Sequence, residues 1–96
     1  MVTRTFAGYR PEAPEEYRDK GITNASEQLP DYEGVIFGDG SVVVRWRTAY
    51  CSTSVWASWS DFYHVHGHAE YGTRIDFDDG GPPPAVFLRV GTGQRA

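Results

Sequence analysis

The sequence predicts a small α+β domain, an antiparallel sheet of four or five strands with one short helix packed on it. Three stretches carry that expectation. Residues 32–48 (YEGVIFGDGSVVVRWRT) set two β-rich runs either side of Gly38-Asp39-Gly40-Ser41. Asp-Gly between hydrophobic runs is the strongest short hairpin signal, because the two central turn positions favour positive φ. Residues 58–67 (SWSDFYHVHG) repeat their apolar side chains with a helical period, and residues 73–77 (TRIDF) alternate as a half-buried strand does. The same spacing also allows an SH3-like β-barrel with residues 58–66 as one helical turn between strands.

Taken in order, residues 1–31 read as an N-terminal arm, residues 32–90 as the domain and residues 91–96 as a flexible tail. The arm is poor in aliphatics and carries Pro11, Pro14, Pro30 and the charged block EEYRDK at 15–20. Thr5, Phe6 and Tyr9 are good β formers, so residues 3–9 can make a short strand. Residues 10–31 are expected to be irregular. In the second hairpin strand Val42, Val44 and Trp46 face one way and Val43, Arg45 and Arg47 the other. Residues 52–56 (STSVW) are a third strand. Ser58 can cap a helix, with Asp61 three residues on as in a capping box. Trp59, Phe62, Tyr63 and His66 then share one face, and Gly67 sits where a helix stops in a left-handed residue. Ile75 and Phe77 point inward. After the turn Asp78-Asp79-Gly80-Gly81 comes a stiff Pro82-Pro83-Pro84 spacer, then a last edge strand at 85–90 (AVFLRV).

Composition excludes more than it selects. Ninety-six residues amount to one domain of modest stability, and the 15% aromatic share can supply much of its core. Thirteen acidic residues against nine basic give a net charge of −4, which argues against a duplex DNA binder. Cys51 is the single cysteine, so no intramolecular disulfide forms and no oxidising compartment is required. No apolar run reaches the ~18 residues of a membrane span. The start, MVTRTFAGYR, lacks the apolar stretch of a signal peptide. The expected location is the cytoplasm.

All three histidines fall in residues 62–70 (FYHVHGHAE). On a strand, His64, His66, His68 and Glu70 would project from one face and suit zinc, with an open position for water. On a helix of ~3.6 residues per turn, His64 and His66 point apart and cannot hold one ion. The cap, the period and Gly67 favour the helix, with the histidines as polar groups at its C-terminus. No cofactor motif is present. Cys51 has no base placed beside it, and Ser52, Thr53 and Ser54 lack a nucleophile-elbow context. Gly38-Asp39-Gly40 lacks the lysine and helix of a phosphate loop. Glu15-Glu16 and Asp78-Asp79 read as surface charge. No catalytic set assembles.

Binding is therefore the expected mode. Trp59, Tyr63 and His66 could dock a partner, although a single helix more often turns such a face to its sheet. Arg45, Arg47 and Arg74 could stack on nucleic-acid bases, or pair with Asp76 and Glu33 across strands. Net acidity favours pairing, so nucleic acid is a secondary expectation. An open sheet edge would also permit a homodimer.

Three stretches resemble a known pattern. YEGVIFGDGSVVVRW is similar to EGV-x-F-x-DG-x-V-x-x-RW, STSVWASWSDFYHVHGH to ST-x-x-W followed by a short helix ending in HGH, and GTRIDFDD to its closing strand. The order and spacing resemble a group of short proteins encoded by actinobacterial bacteriophages. The likeness covers residues 21–79. It leaves out residues 10–20 and the PPPAVFLRV extension. It implies a phage origin and a life in the bacterial cytoplasm, with binding to a host or phage protein as the expected role. It carries no catalytic residue over.

Overall fold

A computed structural model describes residues 2–87. Five strands form one antiparallel sheet: β1 (Arg4–Tyr9), β2 (Tyr32–Ile36), β3 (Val42–Trp46), β4 (Thr53–Trp56) and β5 (Arg74–Phe77), in the order β4-β3-β2-β1-β5. Two helices accompany them, α1 (Glu15–Asp19) and α2 (Trp59–His66). The chain leaves β4 at one edge, passes through α2 over one face, and returns as β5 at the other edge. The predicted small α+β fold is present. It is an open sheet and not the closed barrel, since among the described residues β4 pairs only with β3 and β5 only with β1.

The expected short strand at residues 3–9 is β1, and it lies inside the sheet. Phe6 stands opposite Gly34 of β2 and opposite Phe77 of β5. The stretch read as an arm thus supplies a central strand. Gly34 leaves room for this arrangement, because a Cβ there would sit 2.3 Å from the Phe6 ring. Residues 10–31 are mostly without regular structure but are tied down. α1 is one short turn of helix, and Asp31 N donates to Gly8 O while Arg47 N donates to Asp31 O.

The hairpin forms with Tyr32 opposite Trp46 and Ile36 opposite Val42. Its turn differs from the expected pair of positive-φ residues. Phe37 N donates to Ser41 O and Gly40 N to Phe37 O, and Gly40 alone in the loop has positive φ, at 93°. This is a three-residue loop with glycine in the left-handed position. Asp39 Oδ1 accepts from Ser41 N at 2.9 Å and Ser41 Oγ at 2.6 Å, which closes the turn with Asp39 in ordinary φ.

The core lies between α2 and the sheet. Phe6, Tyr32, Val42, Val44 and Phe77 come from the strands, Trp59 and Phe62 from the helix. Several aromatic edges meet faces, as Phe6 with Trp59 at 5.1 Å and Tyr32 with Phe62 at 5.4 Å. Burying such rings is the main favourable term available to a chain this small. Beyond Gly81 the chain makes no strand up to Phe87, so the expected edge strand is absent over residues 85–87. Phe87 N donates to Ser60 Oγ of α2 at 3.0 Å, which draws this segment to the helix and away from the β5 edge. The rest of that strand and the tail at 91–96 lie outside the described residues. Among those residues no helix is long and apolar enough to cross a membrane.

Candidate functional site

At one end of the sheet the segments that follow β1, β3 and α2 converge on a cleft of about 360 Å³. Arg10 comes directly after β1. Tyr17 belongs to α1, with Ile22 and Thr23 in the loop behind it. Trp46 ends β3, and Thr48, Tyr50 and Ser52 lie on the connection to β4. His66 is the last residue of α2, with His68 and Tyr71 just beyond. No Asp or Glu lines the cleft, although acidic residues outnumber basic ones 13 to 9 in the chain.

Arg10 is fixed from behind. Its Nε donates to Asp31 Oδ2 at 2.6 Å and its Nη2 to Ile22 O at 2.9 Å. Neither bond uses Nη1. The guanidinium also lies 5.3 Å from the Trp46 ring. Asp31 is completely buried and accepts two more bonds, from Thr23 Oγ1 at 2.5 Å and Asn24 N at 2.6 Å. A buried carboxylate needs such partners, since an unpaired one would be prohibitively desolvated. One residue thereby anchors residues 21–31 and orients the cleft's cation.

His66 packs between Trp46 at 4.9 Å and Trp56 at 5.4 Å. Burial pushes its pKa down, with Arg10 and His68 adding to the shift, so the ring is neutral at neutral pH. His68 stacks on Tyr71, centroids 4.5 Å apart and planes 17° apart. Its Nδ1 lies 3.0 Å from Glu70 Oε2, and this hydrogen bond holds the Glu70 carboxyl below its usual range. Tyr17 meets Tyr71 edge to face at 6.3 Å.

The helix stop differs from the expectation. Gly67 is right-handed (φ −67°), and the left-handed residue is His68, at φ 34°. Gly67 is required for space instead, because a Cβ would meet Tyr63 O at 2.5 Å. A non-glycine residue in left-handed backbone costs ~1–2 kcal/mol, and such strain gathers at functional sites. Thr73 Oγ1 donates to His68 O at 2.7 Å and helps to hold it.

The cluster read at 62–70 is divided by the helix. His66 and His68 line the cleft. His64 faces the other way, into a second groove of about 310 Å³ with Trp56, Ser60, Asp61, Val65 and Phe87. Glu70 serves His68. Among the described residues no group of three or more His, Cys, Asp or Glu is arranged to hold a metal. The zinc alternative is corrected accordingly: a helical 59–66 splits its ligands.

The other candidates fall into place. Trp59 is 4% exposed and Tyr63 packs against the core, so that face of α2 meets the sheet. Arg45 donates to Thr53 Oγ1 at 3.1 Å, and not to Glu33, which stands opposite it. Arg74 lies 3.2 Å from Asp76 and 3.4 Å from Glu27, with its guanidinium over Tyr9. Arg47 is exposed. Cys51 is exposed, and its Sγ lies 3.4 Å from Thr48 O, with no base against it.

Sequence reasoning missed Arg10, Tyr17, Tyr50 and Tyr71 as site residues. The usable signal was tyrosines outside the strands and the core helix, where no core demands them.

The sequence profile of the Acb5 phage protein family matches residues 32–79, which is 48 of the 96 residues. The protein belongs to the Acb5 phage protein family. The family match runs from β2 through β5 and takes in the Trp46, His66, His68 and Tyr71 walls of the cleft. Arg10, Tyr17 and Thr23 lie outside it. No curated protein and no solved structure matches the chain significantly.

Proposed function

We propose that this phage protein acts in the infected bacterium by binding, without turnover, and that its binding site is the cleft between Arg10, Trp46 and His68. The observation that carries this is the cleft itself. A concave site of about 360 Å³ that sets four aromatic side chains among a few convergent polar groups has the character of a small-molecule pocket. Non-catalytic action is supported by its hydroxyls. Thr23 Oγ1 is committed to Asp31, Thr48 Oγ1 turns to Tyr50 O, and the exposed Ser52 hydroxyl makes no bond to a histidine, so none of the three is paired with an imidazole as an activated nucleophile would be. The test is native mass spectrometry after equilibration with a low-molecular-weight bacterial extract. One discrete added mass, lost in Tyr50→Ala, is expected. An unchanged mass across extracts would contradict the reading.

A second reading rests on a separate surface. Val65 is 50% exposed and Phe87 74%, and with Trp56 they line one groove beside α2. Apolar groups gathered in this way suit a host or phage protein partner. Val65→Glu should abolish capture of that partner while leaving small-molecule binding intact. Capture unaffected by Val65→Glu would remove this reading.

A further inference from the structure

We propose that the outer edge of β4 pairs with β4 of a second copy of this chain, which joins two sheets into one and sets the groove beside α2 of one copy against that of the other; this names the partner in the second reading above and rests on that groove being a protein-binding surface. Three observations select a second copy. The first is the backbone. Among the described residues β4 pairs only with β3. Trp46 N donates to Ser52 O at 2.8 Å. By the antiparallel alternation Ser54 and Trp56 also bond to β3, while Thr53 and Val55 turn their N–H and C=O groups outward. Such an edge is a template for another strand.

The second is charge. A two-fold contact sets a strand against itself, so a charge on it meets its like. From Thr48 to Ser60 no side chain is charged, in a chain where 23% of residues are. The opposite edge is protected, because β5 carries Arg74 and Asp76 and runs into Asp78 and Asp79. Copies of net charge −4 repel one another in general, and β4 is the edge where they can approach.

The third is apolar surface on both sides of this edge. On the face turned away from α2, Val35, Val43 and Val55 form one row across β2, β3 and β4, and the row ends at Val55, which is 72% exposed. A second β4 would continue it. An antiparallel pair of strands has its two-fold axis normal to the sheet, which keeps both α2 helices on the same face. Trp56, Val65 and Phe87 of the two grooves would then cover each other. Asp61 and His64 also line the groove, one turn apart on α2. Antiparallel helices can set the acid of one copy against the imidazole of the other.

The experiment is sedimentation equilibrium of the full chain, with native mass spectrometry as the second mass measurement. Monomer in concentration-dependent exchange with dimer is expected. Val55→Lys sets lysines side by side across the new strand pair and should weaken the dimer about tenfold or more. Its melting curve at monomer concentrations should stay unchanged, since Val55 is exposed. Val55→Pro removes one outward N–H and should weaken the dimer as well. Asp76→Lys, at the β5 edge, should leave it intact. A dimer that resists both Val55 variants, or that yields to Asp76→Lys, overturns the proposal. A chain monomeric at every concentration overturns it too. If that monomer still captures a host or phage protein through Val65, the second reading stands with another partner. If it captures none, both fail.

Discussion

His68 combines a left-handed backbone with a place in the cleft wall, and the two can be separated by substitution. Replacing it with Ala or with Gly removes the ring equally, but only Gly relaxes the backbone at φ 34°. His68→Gly should therefore be more stable than His68→Ala by about 1 kcal/mol, read by urea denaturation. Equal stabilities would mean that the site stores no strain. Gly8 presents the opposite situation, since a Cβ there would sit 2.1 Å from the buried Tyr32 ring. Gly8→Ala should cost about 1–3 kcal/mol through overpacking. His66 sets a pH dependence. Its folded pKa is depressed below the ordinary 6.5 by burial. Below pH 6.5 the unfolded chain takes a proton that the folded chain resists, so stability falls with pH until the folded pKa is passed. His66→Gln should flatten that slope in melting curves across this range. At this scale the sequence misled by one position. Gly67 looked like a left-handed stop, but the glycine serves the close approach of Tyr63 O, and that contact is invisible to local pattern.

At the scale of elements, α2 and the hairpin were legible because their signals are local. Ser58 caps α2 as expected, its Oγ accepting from Asp61 N at 3.1 Å. Ser58→Ala should cost about 1 kcal/mol and lower Tm by roughly 4–8 °C for a domain of this size. A smaller fall would mean that packing of Trp59 and Phe62 alone fixes the helix start. The hairpin strands and their register followed from period-2 alternation, while the turn type did not, because Asp39 bonds to Ser41 instead of adopting positive φ. Arg4 illustrates an interaction between elements that pattern could not supply. It pairs with Asp79 at 2.7 Å and holds that carboxyl at about 2. The stability this lends is present above the ordinary Asp value and lost as pH falls from about 4 towards 2. The pair is exposed, so the effect should shrink in high salt.

At the scale of the whole molecule, the fold class was readable and the site was not, for one physical reason. Strand and helix signals repeat along the chain, whereas the cleft joins residues from three separate segments. Arg10, Tyr50 and Tyr71 share no motif, and only the folded chain brings them together. Residues 10–31 looked irregular from their prolines and charges, yet a buried carboxylate gathers Arg10, Thr23 and Asn24, and backbone bonds from Glu12 to Tyr71 and from Ala49 to Gly21 tie the stretch down further. Asp31→Ala should therefore cost about 3–5 kcal/mol, because it leaves Arg10 buried without its partner. That is a large part of the ~5–15 kcal/mol that holds such a domain together, so equilibrium unfolding will show it clearly. The central claim is that the cleft, and not the groove on the far side of α2, is where this phage protein binds. Amide chemical-shift mapping against a low-molecular-weight bacterial extract tests it most directly. Shifts concentrated at Arg10, Trp46, Tyr50, His66, His68 and Tyr71 are the predicted result. Shifts concentrated at Trp56, Val65 and Phe87, with the cleft silent, would contradict it.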